Sequence, residues 1–131
     1  MTGKKASRTR PTDGELEILR VLWERGASTV RQVHDTLEAR RPAGYTTVLK
    51  LLQIMMEKGL VRRDESERAH VYEARVPREE TERQLVGDLL EKAFSGSASA
   101  LVMRALSSKK TSPEELARIR RLLDEMEGGQ R

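Results

Sequence analysis

The stretch from Gly44 to Gly59, Gly-Tyr-Thr-Thr-Val-Leu-Lys-Leu-Leu-Gln-Ile-Met-Met-Glu-Lys-Gly, constrains the chain more than any other. Val48, Leu51, Leu52 and Met55 recur at three- and four-residue steps, which places them on one side of a 3.6-residue helix. Thr46, Thr47, Leu49, Lys50 and Gln53 fall elsewhere on the cylinder. That open face offers hydroxyls, an amide, one cation and one methyl-rich side chain. Its first carboxylate, Glu57, comes only in the last turn. A helix that needs only solubility usually mixes charges of both signs on its open face. One that lies in a DNA groove must keep negative charge away from phosphates and base edges. Gly59 supplies the stop. The pattern predicts a recognition helix over about 44–58, with the rest of the chain holding it in place.

The segments before it supply the first half of such a scaffold. Thr12-Asp-Gly-Glu15 is a capping box, in which the hydroxyl caps the helix start and Glu15 reaches back. Leu16, Leu19, Leu22 and Trp23 follow as an apolar stripe widened by Ile18 and Val21, and Gly26 ends it. Trp23, in phase with the leucines, is expected in the core. Thr29-Val-Arg-Gln32 is a second capping box, opening a short helix to about Arg40 with Val30, Val33 and Leu37 inward. Ala27-Ser28 can form a strand stub between the two. Arg40-Arg-Pro-Ala-Gly44 is a connector with two breakers. Two helices joined by a short turn, the second free of acids on its open face, match a helix-turn-helix.

Leu60–Asp64 and Arg68–Val76 then read as a β-hairpin around Glu65-Ser-Glu67, with Ala69, Val71 and Val76 alternating against charged neighbours. Three helices and a hairpin make a winged helix spanning residues 12–76. Arg68 lies at the wing tip and Arg62 and Arg63 on its first strand, placed for phosphate contact, although charge on an edge strand also serves solubility.

Pro77 stops the sheet and suits a helix start. Residues 78–94 carry Leu85, Val86, Leu89, Leu90 and Phe94 on one side, before Ser95-Gly-Ser97 breaks the pattern. Ala98–Leu106 is a short apolar helix containing Leu101 and Val102. Ser112-Pro-Glu-Glu115 caps a last helix with Leu116, Ile119, Leu122, Leu123 and Met126 as its stripe, and 128–131 should fray. Three helices of this size have too many apolar faces for their mass, so residues 77–127 are expected to form a dimerisation domain around a two-fold axis. Such a homodimer would set two recognition helices whole DNA turns apart, matching a palindromic operator.

Charge has to be located before it argues for anything. The net charge is +4, and residues 1–12, with Lys4, Lys5, Arg8, Arg10 and no acid, hold all of it. The remainder is balanced, so overall basicity does not itself indicate nucleic acid. Residues 1–11 read as a disordered basic arm. Aromatic residues are 3% of the chain, which leaves the core to aliphatic side chains and favours helices. There is no Cys, so disulfides and thiolate metal sites are excluded. No apolar run approaches the roughly 18–20 residues that span a bilayer. The expectation is a cytoplasmic protein without membrane insertion.

Asp13-Gly-Glu-Leu-Glu-Ile-Leu-Arg-Val-Leu-Trp23, Thr29-Val-Arg-Gln-Val33, Tyr45-Thr-Thr-Val48, Lys58-Gly-Leu-Val61, Arg68-Ala-His-Val-Tyr72 and the Leu-Ser-Ser…Ser-Pro-Glu-Glu-Leu116 pattern together resemble the penicillinase-repressor family of BlaI and MecI type. The resemblance runs from about Thr12 to Met126. It implies a winged-helix domain, a helical dimerisation tail and repression of transcription by occupying a two-fold operator. It also implies derepression when a membrane-bound sensor protease triggers cleavage in the tail. Onto DNA it places Tyr45, Thr46, Thr47, Lys50 and Gln53. The family's cleavage bond joins Asn and Phe; the matching pair here is Arg104-Ala105. Copper-responsive relatives carry a cysteine-rich tail, so that branch is excluded.

No reactive constellation points to an enzyme. The chain has no phosphate-binding loop and no dinucleotide fingerprint, and neither His34 nor His70 is paired at i+3 or i+4 for metal ligation. Glu79-Glu80 and Glu114-Glu115 sit at helix starts, where they complement the helix dipole. No cofactor or metal is expected. Two other classes compete with a repressor. One is a winged-helix protein-interaction module that never touches DNA. The other is a ligand-responsive regulator with a pocket among the tail helices.

Overall fold

The computed structural model describes residues 10–40 and 42–129. Most of the expected basic arm, residues 1–9, and the last two residues of the tail lie outside that description. Among the described residues the chain forms six helices and one three-stranded antiparallel sheet. It divides into two compact units that meet between Val86 and Gly87.

In the first unit, α1 (Asp13–Arg25) opens on the Thr12 capping box and closes at Gly26. β1 (Ser28–Thr29) is the strand stub. α2 (Val30–Glu38) starts on the Thr29–Gln32 capping box and stops two residues short of the expected Arg40. α3 (Tyr45–Lys58) is the recognition-helix candidate. β2 (Val61–Asp64) and β3 (Val71–Ala74) make the hairpin, and the sheet order is β1-β3-β2. Helix pair, third helix and hairpin together form a winged helix. The core is aliphatic: Ile18, Leu19, Val21 and Leu22 from α1, Val33 and Leu37 from α2, Val48, Leu52 and Met55 from α3, and Leu60, Val61 and Tyr72 from around the sheet. Burying each such side chain contributes roughly 1.5–3 kcal/mol.

Two expectations shift. In β3 the buried residue is Tyr72, whereas Val71 is half-buried and Ala69 exposed. The alternation read from the sequence was one residue out of phase, and in a strand such a slip exchanges the two faces. The pairing partners decide the phase, with Tyr72 opposite Ser28 on one side and Arg63 on the other. Trp23 is only partly buried and packs against the core rather than within it. Its indole N–H donates to the Val76 carbonyl at 2.9 Å, and the Arg78 guanidinium lies 5.8 Å from its ring centre. The indole therefore ties α1 to the end of the sheet.

Gly59 takes the left-handed conformation at φ 82°. Its N–H and that of Leu60 close the end of α3 on the Met55 and Met56 carbonyls. This turn aims β2 away from the helix, and a side chain there would be strained. Gly59→Ala is expected to cost about 1 kcal/mol of stability, read from the urea midpoint at unchanged slope.

α4 (Arg78–Ala93) contains the division between the units, and Pro77, where the sequence places the domain boundary, immediately precedes it. In the second unit, α5 (Ala98–Ser108) is capped by Ser97, and α6 (Pro113–Gly128) has the Ser112–Glu115 capping box with Pro113 in its first turn. Neither α5 nor α6 buries a residue fully.

Candidate nucleic-acid interface

α3 turns its apolar side inward and leaves Tyr45, Thr46, Thr47, Lys50 and Gln53 exposed. Leu49 is half-buried against the core, so only part of it reaches the open face. Lys50 carries no ion pair among the described residues. The face thus presents three hydroxyls, an amide and a free ammonium, with no carboxylate before Glu57. These groups suit base edges and phosphate oxygens alike.

The far end of α3 is fixed by a contact that local reading missed. Lys58 Nζ donates to Glu15 Oε1 at 2.8 Å, and the same oxygen accepts the Thr12 N–H at 2.9 Å. Glu15 is 2% exposed and Lys58 29%. The capping box was legible from three-residue spacing. Its link to α3 was not, because the partners are 43 residues apart in sequence.

The three wing arginines are not equivalent. Arg62 pairs across the hairpin with Glu73 through its Nε at 3.0 Å and a second nitrogen at 2.6 Å. Arg63 donates to Glu65 at 2.7 Å. Hydrogen bonds to the Tyr72 hydroxyl and to Glu65 hold its guanidinium above its ordinary pKa. Asp64 accepts the Ser66 N–H at 2.9 Å, a bond that lowers its carboxyl pKa and shapes the wing turn. Arg68 is exposed and has no ion pair among the described residues.

Arg31, in the first turn of α2, was not singled out from the sequence. Its guanidinium lies 4.9 Å from the Tyr45 ring centre. Outward placement could be inferred from the inward phase of Val30, Val33 and Leu37, but the meeting with Tyr45 depends on the packing of α2 on α3. His34 meets the same ring edge-on at 5.9 Å. Its two nitrogens lie 3.1 Å from Asp35 and 2.8 Å from Glu38. The sequence gave this histidine no i+3 or i+4 partner for metal ligation; Glu38, four residues on, lies within hydrogen-bond reach of its Nε2. Among the described residues no group of three His, Asp or Glu side chains is arranged to hold a metal ion. Nor is any described helix long and apolar enough to cross a membrane.

In the second unit, Leu89, Val102, Leu122 and Leu123 of the expected interface are exposed. Leu90, Phe94, Leu101, Leu106, Leu116 and Ile119 are half-buried, as is Leu85 just before the division. Met103, 70% exposed, extends the apolar surface beyond the residues expected, and Met126 of the expected α6 stripe is exposed as well. Arg104 and Ala105 are both exposed within α5.

A helix-turn-helix whose second helix shows no carboxylate on its open face before the last turn, followed by a wing that carries an arginine unpaired among the described residues, Arg68, defines a DNA-binding winged-helix regulator. The sequence profile of the penicillinase repressor family matches residues 11–125, and the chain belongs to that family. It is 38% identical to the transcriptional regulator BlaI of Mycobacterium tuberculosis strain H37Rv over 95% of this chain and 90% of the relative. The same values hold for the BlaI of strain CDC 1551. With the penicillinase repressor of Bacillus licheniformis it shares 21% identity over 87% of this chain and 89% of that protein.

Proposed function

We propose that this protein is a homodimeric transcriptional repressor that occupies a two-fold symmetric operator through α3 and the wing. The carrying observation is the exposed, carboxylate-free face of Thr46, Thr47, Lys50 and Gln53. Hydroxyl, amide and methyl groups from Thr46, Thr47, Leu49 and Gln53 read the duplex, the Tyr45 hydroxyl reaches it beside them, Lys50 contacts a base or phosphate, and Arg68 anchors the wing. Arg62 and Arg63 have part of their donors and charge taken up by Glu73 and Glu65, so they contribute less to phosphate contact than Arg68. The apolar surface of α5, α6 and the end of α4 pairs two copies, which supports a palindromic site. The repressor works in the cytoplasm. Its relief by a sensor-linked protease would act at Arg104–Ala105, whose cleavage detaches α6 from the DNA-binding unit.

Affinity for a genomic duplex recovered by the purified protein should fall with salt at a slope of about −0.9 per phosphate neutralised. Lys50→Ala is expected to weaken that binding by roughly 1–3 kcal/mol if the ammonium reads a guanine. Salt-independent binding, or unchanged affinity when Lys50→Ala is combined with Thr47→Ala, would remove α3 from the interface. A winged helix acting purely through proteins would retain no duplex in such an assay.

A further inference from the structure

Beside the reading face of α3 runs a groove whose lining includes Arg31, Tyr45, Leu49, Arg68 and His70. It joins the start of α2, the first turn of α3 and the wing loop where it enters β3. No carboxylate lines it. Two arginines from different elements meet there, and neither has an ion pair among the described residues. Elsewhere in the same unit Arg40, Arg62, Arg63, Arg78 and Arg83 each hold a carboxylate within 4 Å. Arg20, Arg25, Lys50 and Arg75 are also without an ion pair among the described residues but lie outside the groove; what sets the groove apart is two unpaired arginines from different elements facing a lining with no acid, which suits an anion. The Tyr45 ring carries Arg31 on its face at 4.9 Å. Such a seat stabilises a guanidinium and restricts its rotamers while leaving its N–H donors free.

Resting on the repressor reading above, we infer that this groove is a backbone-phosphate cradle. Arg31 and Arg68 close on the duplex from two sides, and Tyr45 acts chiefly by positioning Arg31. Tyr45 is 40% exposed, but its ring face is already occupied, which leaves mainly its hydroxyl for the DNA. The division of labour is then specific. Thr46, Thr47, Lys50 and Gln53 supply sequence discrimination, and Arg31 and Arg68 supply affinity without it.

The experiment compares two duplexes, a genomic fragment recovered by the protein and a shuffled duplex of the same length and composition, across a salt series. Arg31→Ala should weaken both several-fold and to the same extent, and reduce the steepness of the salt slope by about 1. Arg31→Lys, which keeps the charge, should recover most of that slope. Tyr45→Leu should weaken both duplexes, and its effect should largely vanish in an Arg31→Ala background, because one residue acts through the other. Arg31 is exposed, and a thermal melt of each variant confirms folding. An unchanged slope for Arg31→Ala, or a loss confined to the genomic duplex, overturns the cradle while leaving the repressor reading intact. A wild-type protein that binds neither duplex overturns both.

Discussion

Lys58→Met is expected to destabilise the winged unit by about 2–3 kcal/mol, although Lys58 lies at the end of its helix and reaches solvent. The cost falls on Glu15. That carboxylate is 2% exposed and keeps only the Thr12 N–H once the ammonium has gone. Removing one member of a buried pair typically costs about 3–5 kcal/mol, because the remaining charge stays desolvated. The figure here is lower because Lys58 is itself 29% exposed and its contact is already partly screened. Glu15→Gln should cost less than Lys58→Met, since an amide oxygen can still accept from both Thr12 and Lys58. Urea denaturation of the three proteins separates the cases. Equal midpoints for wild type and Lys58→Met would show that the ammonium contributes nothing.

The second large effect concerns assembly. Leu122→Glu together with Leu123→Glu is expected to convert a dimer of about twice 14.9 kDa into a monomer in light scattering, and to weaken binding to the recovered duplex by on the order of 10²-fold or more. Both leucines are more than half exposed in the isolated chain, as is Met126 on the same helix. Exposed apolar clusters of this kind are typical of contact surfaces. Two carboxylates placed there would lose their hydration without a partner if this surface were covered, which opposes association. The affinity loss follows because each half-site then binds alone. A wild-type monomer at micromolar concentration would end the dimer proposal.

What could be read in advance follows the range of the interactions. The capping boxes at Thr12, Thr29 and Ser112 all formed, since each is written in four consecutive residues. Val48, Leu52 and Met55 turned inward because helical phase is local. The open face of α3 was legible for the same reason. The phase of β3 was not, because Tyr72 is placed by strands that start at Ser28 and Val61. The wing arginines looked alike in sequence. Only the hairpin register sets Arg62 opposite Glu73 and leaves Arg68 unpaired. Arg31 and Lys58 were overlooked on the same grounds, as each acquires its role from a partner on another helix.

The indole bond to the Val76 carbonyl has a practical consequence. Trp23 is the only tryptophan in the chain, so ultraviolet emission excited at the red edge comes from a single point. That point is the seam between α1 and the outgoing strand, under the Arg78 side chain. The protein therefore carries an intrinsic fluorophore that watches its winged half and needs no dye or label.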